Sequence, residues 1–160
     1  MRFSVPVHLR WGDLDAYNHV NNVEMMRVLE EARVRTFWRP EDPAEGEGSP
    51  LAVIDAHPGA TTNTLISRHE IEYLAPIPYL RDPLDVQLWL GRLGGASLDV
   101  NYEVFSPAGR AQTLFARASS TIVLVDATTG RPRRISDAER AAWEVYSEPP
   151  VEFRARRAAS

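Results

Sequence analysis

Leu84-Asp85-Val86-Gln87-Leu88-Trp89-Leu90-Gly91-Arg92-Leu93-Gly94-Gly95-Ala96-Ser97-Leu98-Asp99-Val100-Asn101-Tyr102-Glu103-Val104 decides the fold of this 160-residue chain. Leu84, Val86, Leu88 and Leu90 alternate with Asp85, Gln87 and Trp89. Leu98, Val100, Tyr102 and Val104 alternate with Asp99, Asn101 and Glu103. A period of two puts one set on the face of a sheet that meets the core. Gly94-Gly95 between the two runs predicts a hairpin turn, so the strands are antiparallel.

Outward from this hairpin, Pro107-Ala108-Gly109 turns into a long strand from about Ala111 to Val125, ended by Gly130 and Pro132. Upstream, apolar strand signals stand around 51–54 and 64–73, interrupted by His57-Pro58-Gly59. Phe3, Val5, Val7 and Leu9 alternate with polar neighbours, and Pro6 among them points to an edge strand over 3–10. Between these strands, Val23 to Trp38 reads as a helix opened by Asn21 or Asn22 as N-cap. Glu24, Arg27, Glu31 and Arg35 make a solvated stripe with Arg27–Glu31 and Glu31–Arg35 pairs. Met25, Met26, Val28, Leu29, Ala32 and Phe37 give it a broad apolar arc, which marks a deeply packed helix. Residues 40–50, rich in proline, glycine and acids, read as a loop, an insertion or mobile flap. Ser136-Asp137-Ala138-Glu139 is a capping box opening a short helix to about Tyr146. The tail, 147–160, with Pro149-Pro150 and three arginines, is expected to fray. Strands following one long helix predict an α+β domain with an antiparallel sheet. The whole of 1–160 reads as one such domain with its core over about 3–146.

Composition narrows the function. Hydrophobic residues are 44% and charged residues 25%, ordinary globular values. At this length roughly 69% of the extended chain's surface is buried on folding, enough for a core without staples. There is no cysteine, which excludes disulfides, thiol nucleophiles and thiolate metal sites. The net charge of −4 carries no basic nucleic-acid footprint. All the cationic side chains are arginine. No apolar run reaches 18 residues and no apolar leader stands at the N-terminus, so the expectation is a cytoplasmic protein with no membrane segment.

The functional groups concentrate in Asp13, Asp15, Asn18, His19, Asn21 and Asn22, on a loop feeding the N-terminus of the long helix. Backbone N–H groups at such an end polarise a carbonyl or hold an anion, and a carboxylate beside it can act as base or nucleophile. Three readings fit the spacing. The residues are turn formers and caps; or Asp13, Asp15 and His19 bind a metal; or one aspartate is the centre of an acid/base site. No nucleophile elbow, Walker or dinucleotide glycine motif is present.

Arg10-Trp11-Gly12-Asp13-Leu14-Asp15-Ala16-Tyr17-Asn18-His19-Val20-Asn21-Asn22-Val23, followed by Glu30-Glu31-Ala32-Arg33, resembles the opening of the hotdog-fold acyl-CoA thioesterases, within them the 4-hydroxybenzoyl-CoA thioesterase-like group. Ile71-Glu72-Tyr73-Leu74-Ala75-Pro76-Ile77, the acidic turn near Asp82 to Asp85, and the last helix fit as well, so the resemblance spans about 3–146. It implies a long central helix wrapped by a sheet of about five antiparallel strands, and Asp15 as the catalytic carboxylate, which activates water or attacks the thioester itself. It implies backbone N–H groups near Asn22 and Val23 as the oxyanion donors, with Tyr17, Asn18, His19, Asn22 and Val23 in contact with an acyl-CoA or acyl-carrier-protein thioester. It further implies a homodimer or dimer of dimers, with the segment 61–67 of the second copy facing Asp15. Neither metal nor cofactor is expected, since oxygen and imidazole ligands are too few and cysteine is absent. The chain departs from the family in Tyr17-Asn18, where glycine is frequent, and in Asn21-Asn22, where some members carry His or Tyr. Asp13 reads as structural and His69 as a hydrogen-bonded core histidine. Arg68, Arg81 and Arg92 stand either on the surface or against coenzyme A phosphates. Two other functions fit the same fold: a hotdog hydratase or dehydratase, for which Asp15, Asn18 and His19 have the residue types without the spacing, and a non-catalytic acyl-thioester binding module.

Overall fold

The computed structural model describes residues 1–42, 44, 46, 48–109 and 111–154. The element order is β1 (Phe3–Val7), a 3-10 turn (Trp11–Asp13), α1 (Asn22–Phe37), β2 (Thr62–Tyr73), β3 (Leu84–Leu93), β4 (Ser97–Phe105), β5 (Leu114–Asp126) and α2 (Asp137–Glu144). The strands form one antiparallel sheet in the order β1-β3-β4-β5-β2. The α+β class, the sheet of five strands and the short C-terminal helix are as the sequence predicts.

Alternation fixes which face is buried. Val86 pairs with Val104, Leu88 with Tyr102 and Leu90 with Val100, so the even positions of both strands share a face. That face meets Met25, Val28, Leu29, Ala32 and Phe37 of α1 in a single core cluster. Each Leu or Val side chain so buried contributes about 1.5–3 kcal/mol. At the hairpin tip the Gly94 amide donates to the Ser97 carbonyl at 2.7 Å. A Cβ on Gly94 would stand 3.1 Å from that same oxygen, which favours glycine there.

Four sequence expectations are corrected. The segment 51–54 is not a strand. Leu51 and Ile54, both buried, sit three residues apart in a turn, and Ile54 bridges to Trp38 at the end of α1. Apolar anchors at that spacing mimic a strand signal without a ladder. Arg27 does not pair with Glu31. Its guanidinium turns instead to Asp13 at 2.6 Å and Glu24 at 3.2 Å, while Arg35–Glu31 forms as expected. The tail is held as far as Arg154. Ser147 bridges to Leu90, Trp89 Nε1 donates to the Pro149 carbonyl at 2.9 Å, and the Val151 amide donates to Asn101 Oδ1 at 3.2 Å. The outward-facing Trp89 and Asn101 thus receive a cover that a strand-by-strand reading leaves out. Residues 155–160 of the tail, and Pro43, Glu45 and Glu47 of the flap, lie outside the described residues. β1 is shorter than expected, ending at Val7.

α2 closes the far end of α1. Trp143 is fully buried, donates from Nε1 to the Leu51 carbonyl at 3.0 Å and meets Phe37 edge to face at 6.0 Å. Its start is the predicted capping box, with Ser136 Oγ accepting from the Glu139 amide and Glu139 reaching back to the Ser136 amide. Replacing Ser136 with Ala is expected to lower stability by about 1 kcal/mol, read as a fall in melting temperature of about 2–4 °C. An unchanged melting temperature would show the box to be dispensable.

Candidate active site

The loop between β1 and α1 is built around two aspartates with opposite fates. Asp13 is fully buried. One of its oxygens accepts from the Arg10 amide at 2.7 Å and from Arg27 at 2.6 Å, and the other accepts from Arg10 Nε at 3.0 Å. Burial alone would raise its pKa. The hydrogen bonds from Arg10 and the charge of Arg27 outweigh that, and the carboxyl lies below its ordinary value. Asp13 therefore joins the end of the first strand region to α1, and its carbonyl accepts from the Asn21 amide at 2.8 Å. Both oxygens being so engaged, the trio Asp13, Asp15 and His19 is not assembled as metal ligands. Among the described residues no group of three His, Cys, Asp or Glu side chains could hold a metal ion.

Asp15 sits at a small hairpin. The Asn18 amide donates to the Asp15 carbonyl at 3.1 Å, the Asp15 amide donates to the His19 carbonyl at 2.8 Å, and Leu14 bridges to Val20. Closing this turn requires a left-handed residue, and Asn18 takes it with φ 60°. Asparagine tolerates that conformation better than most residues. The Asp15 side chain is half-buried. Oδ1 accepts from the Tyr17 amide at 2.8 Å and the His19 amide at 3.3 Å. Oδ2 accepts no hydrogen bond among the described residues. One oxygen thus aims the carboxylate, and the other is left for chemistry.

The hairpin runs straight into α1. Asn21 is the N-cap, its Oδ1 accepting from the Val23 amide at 3.0 Å. The first intrahelical bond is Met25 to Asn21. The amides of Asn22 and Glu24 therefore remain unengaged among the described residues, while that of Val23 is committed to the cap. The expected donor pair shifts accordingly: Asn22 keeps a free N–H, and Val23 offers only its exposed side chain. Tyr17 and Asn18 are exposed at the hairpin tip. His19 is half-buried and lines a groove with Val20, Met25, Tyr73 and Pro76. The Tyr73 hydroxyl donates to the Asn22 carbonyl at 3.1 Å, and burial raises its pKa.

The family model described as the thioesterase-like superfamily matches residues 9–143. The chain belongs to this superfamily. Among solved structures, a Pseudomonas aeruginosa protein proposed as a thioesterase is 30% identical, with 88% of this chain and 95% of that one covered and a TM-score of 0.65. A Thermus thermophilus thioesterase, solved with coenzyme A and Zn, is 27% identical over 89% of this chain and 92% of that one, with a TM-score of 0.65. A Bacillus stearothermophilus protein predicted to be a thioesterase shares the fold, with 22% identity, 94% and 100% coverage and a TM-score of 0.74. No curated protein matches significantly.

Beside the superfamily motif, the structure adds residues that the sequence reading missed. Trp11 is 72% exposed and meets Tyr79 edge to face at 5.4 Å. Tyr73 ties the end of β2 to the start of α1. The stretch Ile71–Ile77 already stood out in the sequence, but nothing in it says that its tyrosine faces the helix N-terminus. His69 is half-buried, with Nδ1 2.8 Å from Ser120 Oγ.

Proposed function

We propose that this chain hydrolyses an acyl-CoA thioester, with Asp15 as general base or nucleophile. A thioester is activated because sulfur donates poorly into the carbonyl. The enzyme then needs a carboxylate aimed at the carbonyl carbon and a donor for its oxygen. The observation that carries the reading is the Asp15 carboxylate, oriented through Oδ1 by two amides and open at Oδ2, on a hairpin that leads directly into a helix N-terminus with unengaged amides. As a base, Asp15 takes a proton from water as the water oxygen bonds the carbonyl carbon. The C–S bond then breaks and coenzyme A leaves as thiolate. The amide of Asn22, with the positive end of the helix, favours the oxyanion in between. His19 and Tyr73 line the adjoining groove, and Tyr17, Asn18 and Val23 border it. The coenzyme A held by the Thermus thermophilus relative supports a coenzyme A thioester as the substrate class. The reaction so drawn uses no metal or cofactor. A panel of acyl-CoA thioesters with a thiol-detecting readout tests it; coenzyme A binding with no thiol release from any member would favour the non-catalytic binding module.

The same proposal includes a hotdog homodimer. β2 is an outer strand of 12 residues. Leu65 and Tyr73 on it are 53% and 49% exposed. A long, bare, partly apolar edge is a template for another strand. Antiparallel pairing of β2 with its copy would bring the second chain's segment 61–67 towards the Asp15 end. Light scattering is expected to give twice the 18.0 kDa chain mass, or four times for a dimer of dimers. A stable 18.0 kDa species at micromolar concentration would overturn this. Among the described residues no helix is long and apolar enough to cross a membrane.

A further inference from the structure

Between the C-terminal half of α1 and the β2 side of the sheet lies a cavity of about 170 Å³. Phe37, Ile54, Ile66, Leu98 and Ile122 give it apolar walls, and Arg33 stands among them. Arg33 is only 8% exposed. Its single hydrogen bond among the described residues is a long one, from Nη1 to the Tyr102 hydroxyl at 3.4 Å. Arg27 and Arg133, more exposed, each grip a carboxylate at 2.6 Å; Arg33 has none within 4.0 Å among the described residues. A guanidinium carries five N–H donors and cannot lose its charge, and burying a cation unpaired is costly.

The neighbouring polar groups do not supply the missing anion. Arg33 can only donate, so the Tyr102 oxygen accepts. Ser120 is a further hydrogen-bonding neighbour of Tyr102, and its Oγ lies 2.8 Å from His69 Nδ1. Burial, and then the charge of Arg33, hold His69 below its ordinary pKa, with Glu30 pulling the other way. Glu30 also lines the cavity, but it is exposed and solvated and makes no ion pair with Arg33.

We propose that this cavity is a binding site for a small organic carboxylate, its oxygens on the Arg33 guanidinium and its hydrocarbon body against Phe37, Ile66 and Ile122. The planar guanidinium matches a carboxylate bidentately. An apolar cavity of about 150 Å³ accepts benzene in another protein, so the space suits one ring or about six carbons. The carboxylate comes either from a free acid or from the far end of a dicarboxylic acyl thioester. The binding claim stands apart from the role of Asp15; only the thioester source rests on the proposed hydrolysis.

Trp38 lines the cavity and reports occupancy by fluorescence, alongside melting temperature, in the full chain. Benzoate and hexanoate are expected to bind saturably at millimolar concentration or below and to raise the melting temperature. Benzamide and hexanamide should do neither. Arg33→Met should abolish the effect while melting at or above wild type, since an unpaired buried charge is removed; Arg33→Lys should keep a weakened response. Should Arg33→Met fail to fold, Ile66→Phe fills the cavity with Arg33 in place and should block the carboxylates alone. Equal responses to acids and amides, no saturable response, or benzoate binding unchanged in Ile66→Phe each overturn the site. Faster turnover of adipyl-CoA than hexanoyl-CoA in wild type but not in Arg33→Met identifies the acyl source, whereas inhibition by hexanoate without that preference identifies the free acid. Carboxylate binding with no turnover of any thioester keeps this site and removes the hydrolytic reading.

Discussion

Replacing Asp15 with Asn is expected to lower turnover on the best acyl-CoA substrate by at least about 10²-fold, the lower end of what a positioned base supplies. The substitution changes little else. An Asn side chain presents an oxygen where Oδ1 now accepts from the Tyr17 and His19 amides, so the hairpin and its left-handed Asn18 persist. Asp15 is half-buried and paired with no cation among the described residues, so the melting temperature should stay within about 0.5 kcal/mol of wild type in free-energy terms. Substrate affinity should hold, because the lost interaction belongs to the transition state; kcat and kcat/KM should fall together. Turnover close to wild type would remove Asp15 from the chemistry. Label found in Asp15 after a single turnover in ¹⁸O water would assign it the nucleophilic role, since only a mixed anhydride attacked by water at the aspartyl carbon places it there.

The fold was legible in this sequence where a period repeats. β3 and β4 alternate over seven residues each, the long helix shows its apolar arc, and Ser136-Asp137-Ala138-Glu139 announces a helix start by local chemistry alone. Partners distant in sequence were illegible. Arg27 had an equally good partner in Glu31 by helical spacing, and only the approach of the Asp13 loop redirects it. The segment 51–54 carried apolar residues without a neighbour to pair with. The tail's cover over Trp89 and Asn101 depends on where the sheet's outer face lies. At the site, the sequence located the cluster and, partly through family resemblance, set Asp13 apart as structural from Asp15 as the proposed catalytic carboxylate. It could not tell which amides the N-cap consumes. Nor could it show that Arg33, embedded in a run of alternating charges, is the one that turns inward.

Asp13→Asn is expected to produce the complementary defect, a loss of stability of about 3 kcal/mol with a much smaller loss of turnover than Asp15→Asn. Removing the charge of a buried, hydrogen-bonded pair typically costs 3–5 kcal/mol. Arg10 and Arg27 keep access to water and to Glu24, which places this case at the low end. An amide also offers Arg27 an N–H where it now meets an oxygen at 2.6 Å. With about 2–4 °C per kcal/mol for a chain of this size, the melting temperature should fall by about 6–12 °C. The pH dependence gives an independent check. The folded carboxyl of Asp13 lies below its ordinary value. Its stabilisation is therefore complete above the unfolded range near pH 4 and disappears as pH falls through the lower folded value. The gap between wild type and Asp13→Asn should be widest at neutral pH and narrow below about pH 4. A gap that stays constant into acid, or an Asp13→Asn protein as stable as wild type at pH 7, would show that the arginines do not hold this carboxylate in its charged form.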